Sequence, residues 1–391
     1  MQLRLLKGEE AALKRGMPWV MKHQVNYTSE VELAEPGTQV DIVGFRGDFI
    51  GMGYLNPESY ITARLLSPRK VAIDEAWFAE KISAALKKRE GWLDAPYYRL
   101  VHSESDGLPG LIIERYGDIV VVQCGTAGME KLKTYWLAAI EKILKPKALL
   151  LKNESEARQA EGLEKQAELR YGEIPDIVEV MEHGTIFLAD LLKGQKTGWF
   201  YDMRANRQWI AKQAKDKTVF DIYSHSGGFG IPAAKAGAAR VVMMDRSGLA
   251  LGLARQAAVQ NGVSEKCETR QGEAFALMEA AAKAGEKADI VIADPPPFIK
   301  ARRDIAAGMK GYQKVARWAS ALVAPGGLLF VASCSHHAER KAFLKAVEAG
   351  MAQSGREGKL IKEMGADRDH PVHPQLPQSE YLKAGVWRLA E

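Results

Sequence analysis

Five short runs of this 391-residue chain combine residue types that can do chemistry. Asp294-Pro-Pro-Pro-Phe298 sets a carboxylate in front of three prolines. Proline cannot donate to a sheet ladder and holds the preceding residue extended, so the run reads as a stiff loop that points Asp294 outward. Ser333-Cys334-Ser335 places a thiol between two hydroxyls and next to His336 and His337, a polar setting that suits a thiolate nucleophile. In Asp221-Ile-Tyr-Ser-His-Ser-Gly-Gly-Phe229, Gly227 and Gly228 open a helix. There the backbone can approach a ligand closely and the helix N-terminus favours an anionic or carboxylate group. Asp245, 24 residues after Asp221, stands where an acid can accept hydrogen bonds from both hydroxyls of a ribose. Gly272-Glu273-Ala274 offers another carboxylate or backbone edge. Taken singly, the glycine run also reads as a plain strand-to-helix turn, Asp245 as an exposed strand-end acid, and Cys334 as a small inert hydrophobe.

Each run follows a stretch that reads as a strand. Apolar segments at Val219 to Tyr223, Arg240 to Met244, Ile290 to Ala293 and Leu328 to Ala332 alternate with helical patterns near Ser226 to Lys235, Leu249 to Asn261, Phe275 to Ala284 and Tyr312 to Val323. Such alternation implies right-handed crossovers and a mostly parallel sheet covered on both faces, with ligands at the carboxyl ends of its strands. The fold class is α/β and Rossmann-like. Neither the G-x-G-x-x-G fingerprint nor the phosphate-binding G-x-x-x-x-G-K-[ST] loop is present, which counts against hydride transfer and nucleotide hydrolysis. Upstream, Met1 to about Val71 reads as a glycine-punctuated β-rich module. A helix over Asp74 to Lys88, strands over Leu111 to Arg115 and Ile119 to Gln123, a helix over Glu130 to Leu144 and a strand over Ala148 to Lys152 make a small α/β segment. Glu154 to Gly172 reads as a loop-rich connection. The expected domains are 1–72, 73–180 and 181–391.

Composition bounds the setting. The chain is 47% hydrophobic and 26% charged, without the roughly 18 consecutive apolar residues of a membrane span. Its first residues meet charge at once and carry no export signal. Cys124, Cys267 and Cys334 are odd in number and far apart, which argues against a disulfide framework and a clustered metal site; a cytoplasmic protein is expected. The net charge is +5. From Phe298 to Trp318, Lys300, Arg302, Arg303, Lys310, Lys314 and Arg317 face the single acid Asp304, a basic window that reads as a polyanion contact or as a solvated helix face.

These residues resemble a known family, the bacterial 23S ribosomal RNA cytosine-5 methyltransferases, which join a PUA-like module, a small α/β middle domain and a class I methyltransferase domain. The likeness runs almost end to end. It includes Lys14-Arg-Gly-Met-Pro-Trp-Val20, Gly51-Met-Gly-Tyr-Leu-Asn-Pro57 and Tyr98-Arg-Leu-Val-His-Ser-Glu-Ser-Asp-Gly-Leu-Pro-Gly110. It continues through Gly194-Gln-Lys-Thr-Gly-Trp-Phe-Tyr-Asp-Met-Arg204, the glycine turn, the Asp294 loop, Ser333-Cys-Ser335, Asp369-His-Pro-Val372 and Glu380-Tyr-Leu-Lys383. The resemblance implies S-adenosyl-L-methionine as methyl donor and RNA as partner. The donor site would be lined by Asp221, Tyr223, Ser224, Gly227, Gly228, Phe229, Asp245, Arg246, Glu273, Ala274 and Asp294, helped by Thr197, Gly198, Tyr201 and Arg204 from a preceding hairpin. Cys334 would attack carbon 6 of cytosine, Asp294 would hold the base, and Pro295, Pro296, Phe298, Lys300, Arg302 and Arg303 would contact substrate. Pro297, His225 and Ser226 depart from the family's usual residues. Methylation of another atom, a non-catalytic RNA-binding role and a homodimer stay open.

Overall fold

The computed structural model describes residues 1–91, 96–194 and 197–391. The chain divides into two compact units, the first comprising Met1–Asp176, Leu191–Trp199 and Asp369–Pro377, the second the remainder. In the first unit, strands Gln2–Arg4, Thr38–Val43, Phe49–Leu55, Ile61–Ser67 and Trp19–Met21 lie side by side in that order. Leu3, Leu5, Val20, Val40, Ile42 and Leu55 fill its core. A second five-stranded sheet runs Gln166–Tyr171, Ala148–Asn153, Ile119–Cys124, Leu111–Tyr116, Tyr97–His102. Helices Glu75–Glu90 and Lys133–Leu144 cover it, the former started by Asp74, whose carboxylate accepts Trp77 N–H at 3.0 Å.

One expectation is corrected here. Gln166–Tyr171, inside the stretch read as a loop-rich connection, is an antiparallel edge strand on Ala148–Asn153. Its run Gln-Ala-Glu-Leu-Arg-Tyr does alternate polar with apolar residues, but it is short, lies in a charged stretch and buries none of its six side chains; pairing with a buried neighbour makes it a strand. Glu161, also in this stretch, is buried and receives Arg64 at 2.8 Å, Asn56 Nδ2 at 2.9 Å and the Ser59 hydroxyl at 3.0 Å.

The second unit is built on a seven-stranded sheet: β1 Thr218–Ile222, β2 Arg240–Asp245, β3 Cys267–Gln271, β4 Ala288–Ala293, β5 Val323–Ser333, β6 Gly358–Gly365 and β7 Lys383–Leu389. Helices α1 Arg204–Ala211, α2 Gly230–Lys235, α3 Gly248–Gln260, α4 Ala274–Lys283, α5 Ile305–Ala321 and α6 Arg340–Gln353 alternate with them. The strand order is β3-β2-β1-β4-β5-β7-β6. The first five are parallel, whereas β7 is antiparallel to both β5 and β6. The inner strands are apolar along nearly their whole length because helices bury both faces; Phe220, Ile222, Val291, Leu329, Val331 and Trp387 belong to one continuous core. The order turns around beside β1, so the loops after β1 and β4 leave the sheet at its switch point.

A hairpin, Val178–Glu182 with Thr185–Ala189, belongs to the same unit, and Asn261 bonds Ile186 through both its oxygen (3.0 Å) and its nitrogen (2.7 Å). The boundary drawn at 180/181 falls within its first strand. The hairpin also ends before Thr197, Gly198, Tyr201 and Arg204, so these residues do not come from a hairpin: Thr197 and Gly198 lie in Leu191–Trp199, Tyr201 in the turn Tyr201–Met203, and Arg204 opens α1.

Candidate active site

The turn after β1 is tightly constrained. Tyr223 and His225 adopt left-handed backbone angles (φ +63° and +48°), and Gly227 follows at +84°. Two non-glycine residues in that region store strain of order 1–3 kcal/mol each and must be held by their surroundings. Ser224 N–H donates to the Met244 carbonyl at 3.1 Å and His225 N–H to Asp245 Oδ2 at 2.9 Å, stapling the turn to the end of β2. The other Asp245 oxygen takes Ser247 N–H at 2.8 Å, and the Ser247 hydroxyl caps α3. A methyl group at Gly227 would stand 2.7 Å from Ile231 Cδ1 and 3.0 Å from Met243 Sδ, so those side chains would have to shift, and the left-handed backbone there strains any side chain. Phe200 meets the His225 ring edge-on at 5.6 Å.

Asp221 sits behind this turn, 1% exposed, with one oxygen accepting Gly230 N–H at 2.8 Å. Its other oxygen and the buried Ser224 hydroxyl have no partner among the described residues. Burial above all lifts the Asp221 carboxyl from 3.8 to about 7, and Asp294 and Asp245 add to the rise. Tyr223 is pushed up by burial and by Glu273, which starts α4 and is exposed. Phe229 and Ala274 are buried, and Arg246 points to solvent. Unpartnered polar atoms, a glycine cradle and acids at the ends of β1 and β2 and after β3 fit a ligand that carries a ribose and a cationic amino-acid end.

The loops after β4 and β5 stand side by side, since Ala293 pairs with Val331. Asp294 N–H still reaches the Ile222 carbonyl, at 3.4 Å, before Pro295 ends the ladder. Phe298 packs on Tyr312 with ring centres 4.9 Å apart. Gly308 and Gly311 of α5 make room for this segment: a methyl at Gly308 would meet Ile299 at 2.2 Å, and one at Gly311 would meet Phe298 at 2.9 Å. Cys334 is half-buried just past β5, between Ser333 and Ser335, both buried. The Tyr312 hydroxyl accepts from Ser333 at 2.8 Å and bonds Ser335 at 2.8 Å, while Ser335 Oγ accepts Ile299 N–H at 3.2 Å. One buried phenol thus locks the cysteine turn to the proline loop.

The remaining predicted residues divide. Lys300, Arg302, Arg303, Lys314 and Arg317 are all exposed, and Lys314 and Arg317 also lie over Phe275 (4.4 Å) and Trp318 (5.3 Å). Tyr201 and Arg204 are buried; Arg204 stacks on Tyr201 and pairs with Asp367 at 3.4 Å, next to a bidentate Arg207–Glu182 pair. Thr197 is buried in the first unit, and Gly198 has φ +115°. Tyr312 escaped the sequence reading, and Lys383 entered it only as part of a motif, without a role. Nothing in the linear pattern separates a helix tyrosine that packs from one whose hydroxyl organises a loop, although the Glu380-Tyr-Leu-Lys383 motif did mark the second.

The order β3-β2-β1-β4-β5-β7-β6 with β7 reversed, carrying this glycine turn and these strand-end acids, defines a class I S-adenosylmethionine-dependent methyltransferase. The family model for S-adenosylmethionine-dependent methyltransferases matches residues 159–371, and that for PUA-like domains matches residues 3–68. Ribosomal RNA large subunit methyltransferase I of Shewanella denitrificans is 32% identical over 394 residues, 99% of each chain. Its counterpart from Klebsiella pneumoniae (strain 342) is 33% identical over 398 residues, 99% of this chain and 98% of that one. Among solved structures, one described as a methyltransferase complexed with SAH superposes with a TM-score of 0.86 at 22% identity, covering 99% of this chain and 100% of the other. The chain belongs to the S-adenosylmethionine-dependent methyltransferase family, in the branch that carries an N-terminal PUA-like domain.

Proposed function

We propose that this enzyme methylates carbon 5 of a cytosine in 23S ribosomal RNA, in the cytoplasm, through a covalent bond to Cys334. The observation that carries the reading is the placement of the three thiols. Cys334 alone stands half-buried at the carboxyl edge of the sheet, on the loop beside Asp294. Cys124 is buried with its thiol pushed up to about 12, and burial pushes Cys267 up to about 11. Neither offers a thiolate near neutral pH. The names of the relatives support ribosomal RNA as the substrate class.

Tyr223, Ser224, Gly227, Gly228, Asp245 and Glu273 would hold the donor, with Asp245 on the ribose hydroxyls and Asp221 shaping the turn from behind. Bound there, the donor supplies an electrophilic methyl group on a sulfonium. Carbon 5 of cytosine is a weak nucleophile; addition of the Cys334 thiolate to carbon 6 makes it enamine-like and reactive. Asp294 would accept from the exocyclic amine and hold a proton at N3, which stabilises the adduct and selects cytosine over uracil. Loss of the carbon 5 proton then restores the double bond and expels the sulfur. Because carbon 6 is hidden in a paired helix, the target must be single-stranded or flipped. The module over 1–72, the segment over 73–180 and the exposed Lys300, Arg302 and Arg303 would hold the flanking RNA, beside Pro295, Pro296 and Phe298 at the base.

The test is a 23S fragment carrying 5-fluorocytidine, whose carbon 5 cannot lose a proton. A covalent adduct mapped to Cys334 is expected, together with loss of methylation in Cys334→Ala while S-adenosylhomocysteine still binds. Normal turnover by that variant, or an adduct on Cys124 or Cys267, would overturn the reading.

A further inference from the structure

Lys383 has no role in the chemistry above, yet it is buried against the cysteine turn. It opens β7 opposite Ser333 in the β5–β7 ladder and is only 4% exposed. Burying an ammonium is costly unless something holds it. Its Nζ donates to the Ser335 carbonyl at 3.0 Å and the Tyr381 carbonyl at 3.2 Å, both uncharged acceptors. The adjacent acid, Glu380, is turned instead to Arg340 at 2.7 Å. A lysine that only stabilised the fold would be expected to keep that carboxylate. Here two carbonyls hold the amine at the turn that carries the thiol, on the strand paired with the thiol's own strand.

The charged and titratable groups that act on Lys383 are Glu380, Arg340 and Cys334. Burial is the largest effect and lowers the amine to about 8; Glu380 and Cys334 raise it, and Arg340 lowers it. Around them, the Tyr381 hydroxyl donates to Asp202 at 2.6 Å, His336 stacks on the Tyr381 ring at 5.2 Å, and Tyr312 bonds Ser333 and Ser335.

Resting on the assignment of Cys334 as nucleophile, we propose that Lys383 is its electrostatic partner: a positioning residue, fixed under the turn by the Ser335 and Tyr381 carbonyls, that sets how much thiolate Cys334 presents. Held beside the turn, the ammonium lowers the cost of releasing the Sγ proton to solvent. The S–H electron pair stays on sulfur and forms the S–C6 bond; on elimination that pair returns to sulfur, and the ammonium stabilises the departing thiolate.

The pair can be tested without turnover. Alkylation of Cys334 by iodoacetamide, followed by peptide mass mapping across pH 6–10, reports its thiolate. Cys124 and Cys267, at about 12 and about 11, stay largely silent over most of this range. Lys383→Met should move the Cys334 midpoint upward by about one pH unit, a roughly tenfold slower reaction at pH 7, and Lys383→Arg should bring it back toward wild type. Coupling between two titrations is reciprocal, so NMR of ¹³Cε-labelled lysine should show Lys383 titrating lower in Cys334→Ser than in wild type, by a similar amount. This arm keeps Lys383 and serves even if Lys383→Met fails to fold. An unmoved Lys383 titration in Cys334→Ser, or an unmoved Cys334 midpoint in a folded Lys383→Met, overturns the inference. The 5-fluorocytidine adduct separates the two claims: an adduct on Cys334 without coupling defeats only the role of Lys383, and coupling without an adduct defeats only the cytosine reading.

Discussion

Replacing Asp221 with Asn removes a buried acid whose protonation makes the turn after β1 sensitive to pH. The folded carboxyl titrates at about 7 against 3.8 for the free group, chiefly because it is buried, with one oxygen on Gly230 N–H and the other unpartnered among the described residues. A raised folded value means that, between these limits, the native state holds a proton that the unfolded chain has released. Stability is therefore undiminished below about pH 4, declines as pH rises toward 7, and above that carries the full cost of a buried carboxylate. From pH 5 to 7 the two states differ over roughly two units, which at about 1.36 kcal/mol each gives about 2.7 kcal/mol. Asparagine preserves the shape and the acceptor for Gly230 and does not ionise. Urea unfolding of the two proteins at pH 5 and pH 8 should show the difference in stability, variant minus wild type, rising by about 2–3 kcal/mol with pH. Other carboxylates titrate in both proteins and cancel. A difference that is the same at both pH values would show that Asp221 is already ionised in the native protein and would refute the reasoning.

Asp245→Ala should weaken S-adenosylhomocysteine binding roughly ten- to hundredfold by calorimetry, since charge-assisted bonds contribute about 1.5–3 kcal/mol and the same carboxylate staples His225; an unchanged Kd removes Asp245 from the site. Gly227→Ala should lower stability by about 1–3 kcal/mol and depress the thermal midpoint, because the new methyl meets Ile231 and Met243 at a left-handed position. Charge reversal at Arg302 and Arg303 should weaken RNA binding and reduce the slope of log affinity against log salt by roughly 0.7–0.9 for each phosphate that is no longer neutralised, with donor affinity unmoved. An identical salt series would make these arginines a solvated face.

How much was legible beforehand follows from where each residue's information resides. The parallel sheet was readable because strands buried on both faces must be apolar throughout: β1, β2, β4 and β5 announce themselves in sequence, and the acids and glycines after them mark the ligand edge by the topology of such sheets alone. The edge strand Gln166–Tyr171 carried only a short signal, Ala167, Leu169 and Tyr171 alternating with polar residues inside a charged stretch, and its identity lies in hydrogen bonds to Ala148–Asn153. Nor was the direction of β7, because direction within a sheet is a property of pairing, not of composition.

The same division runs through the site. Residue types by themselves singled out Asp221, Asp245, Asp294 and Cys334 as candidates at the carboxyl ends of the strands, because carboxylates and thiols can ionise or attack. What each group is at neutral pH depends on desolvation and neighbours, and only folding supplies those. Tertiary structure decided that Asp221 is withdrawn into the core and holds its proton up to about 7, whereas the Asp245 carboxylate is spent partly on fixing a strained turn. It also decided that Tyr312, 22 residues before Cys334, and Lys383, 49 residues after it, converge on the cysteine turn. Separation along the chain hides such pairings, and packing of α5 and β7 against the end of β5 creates them.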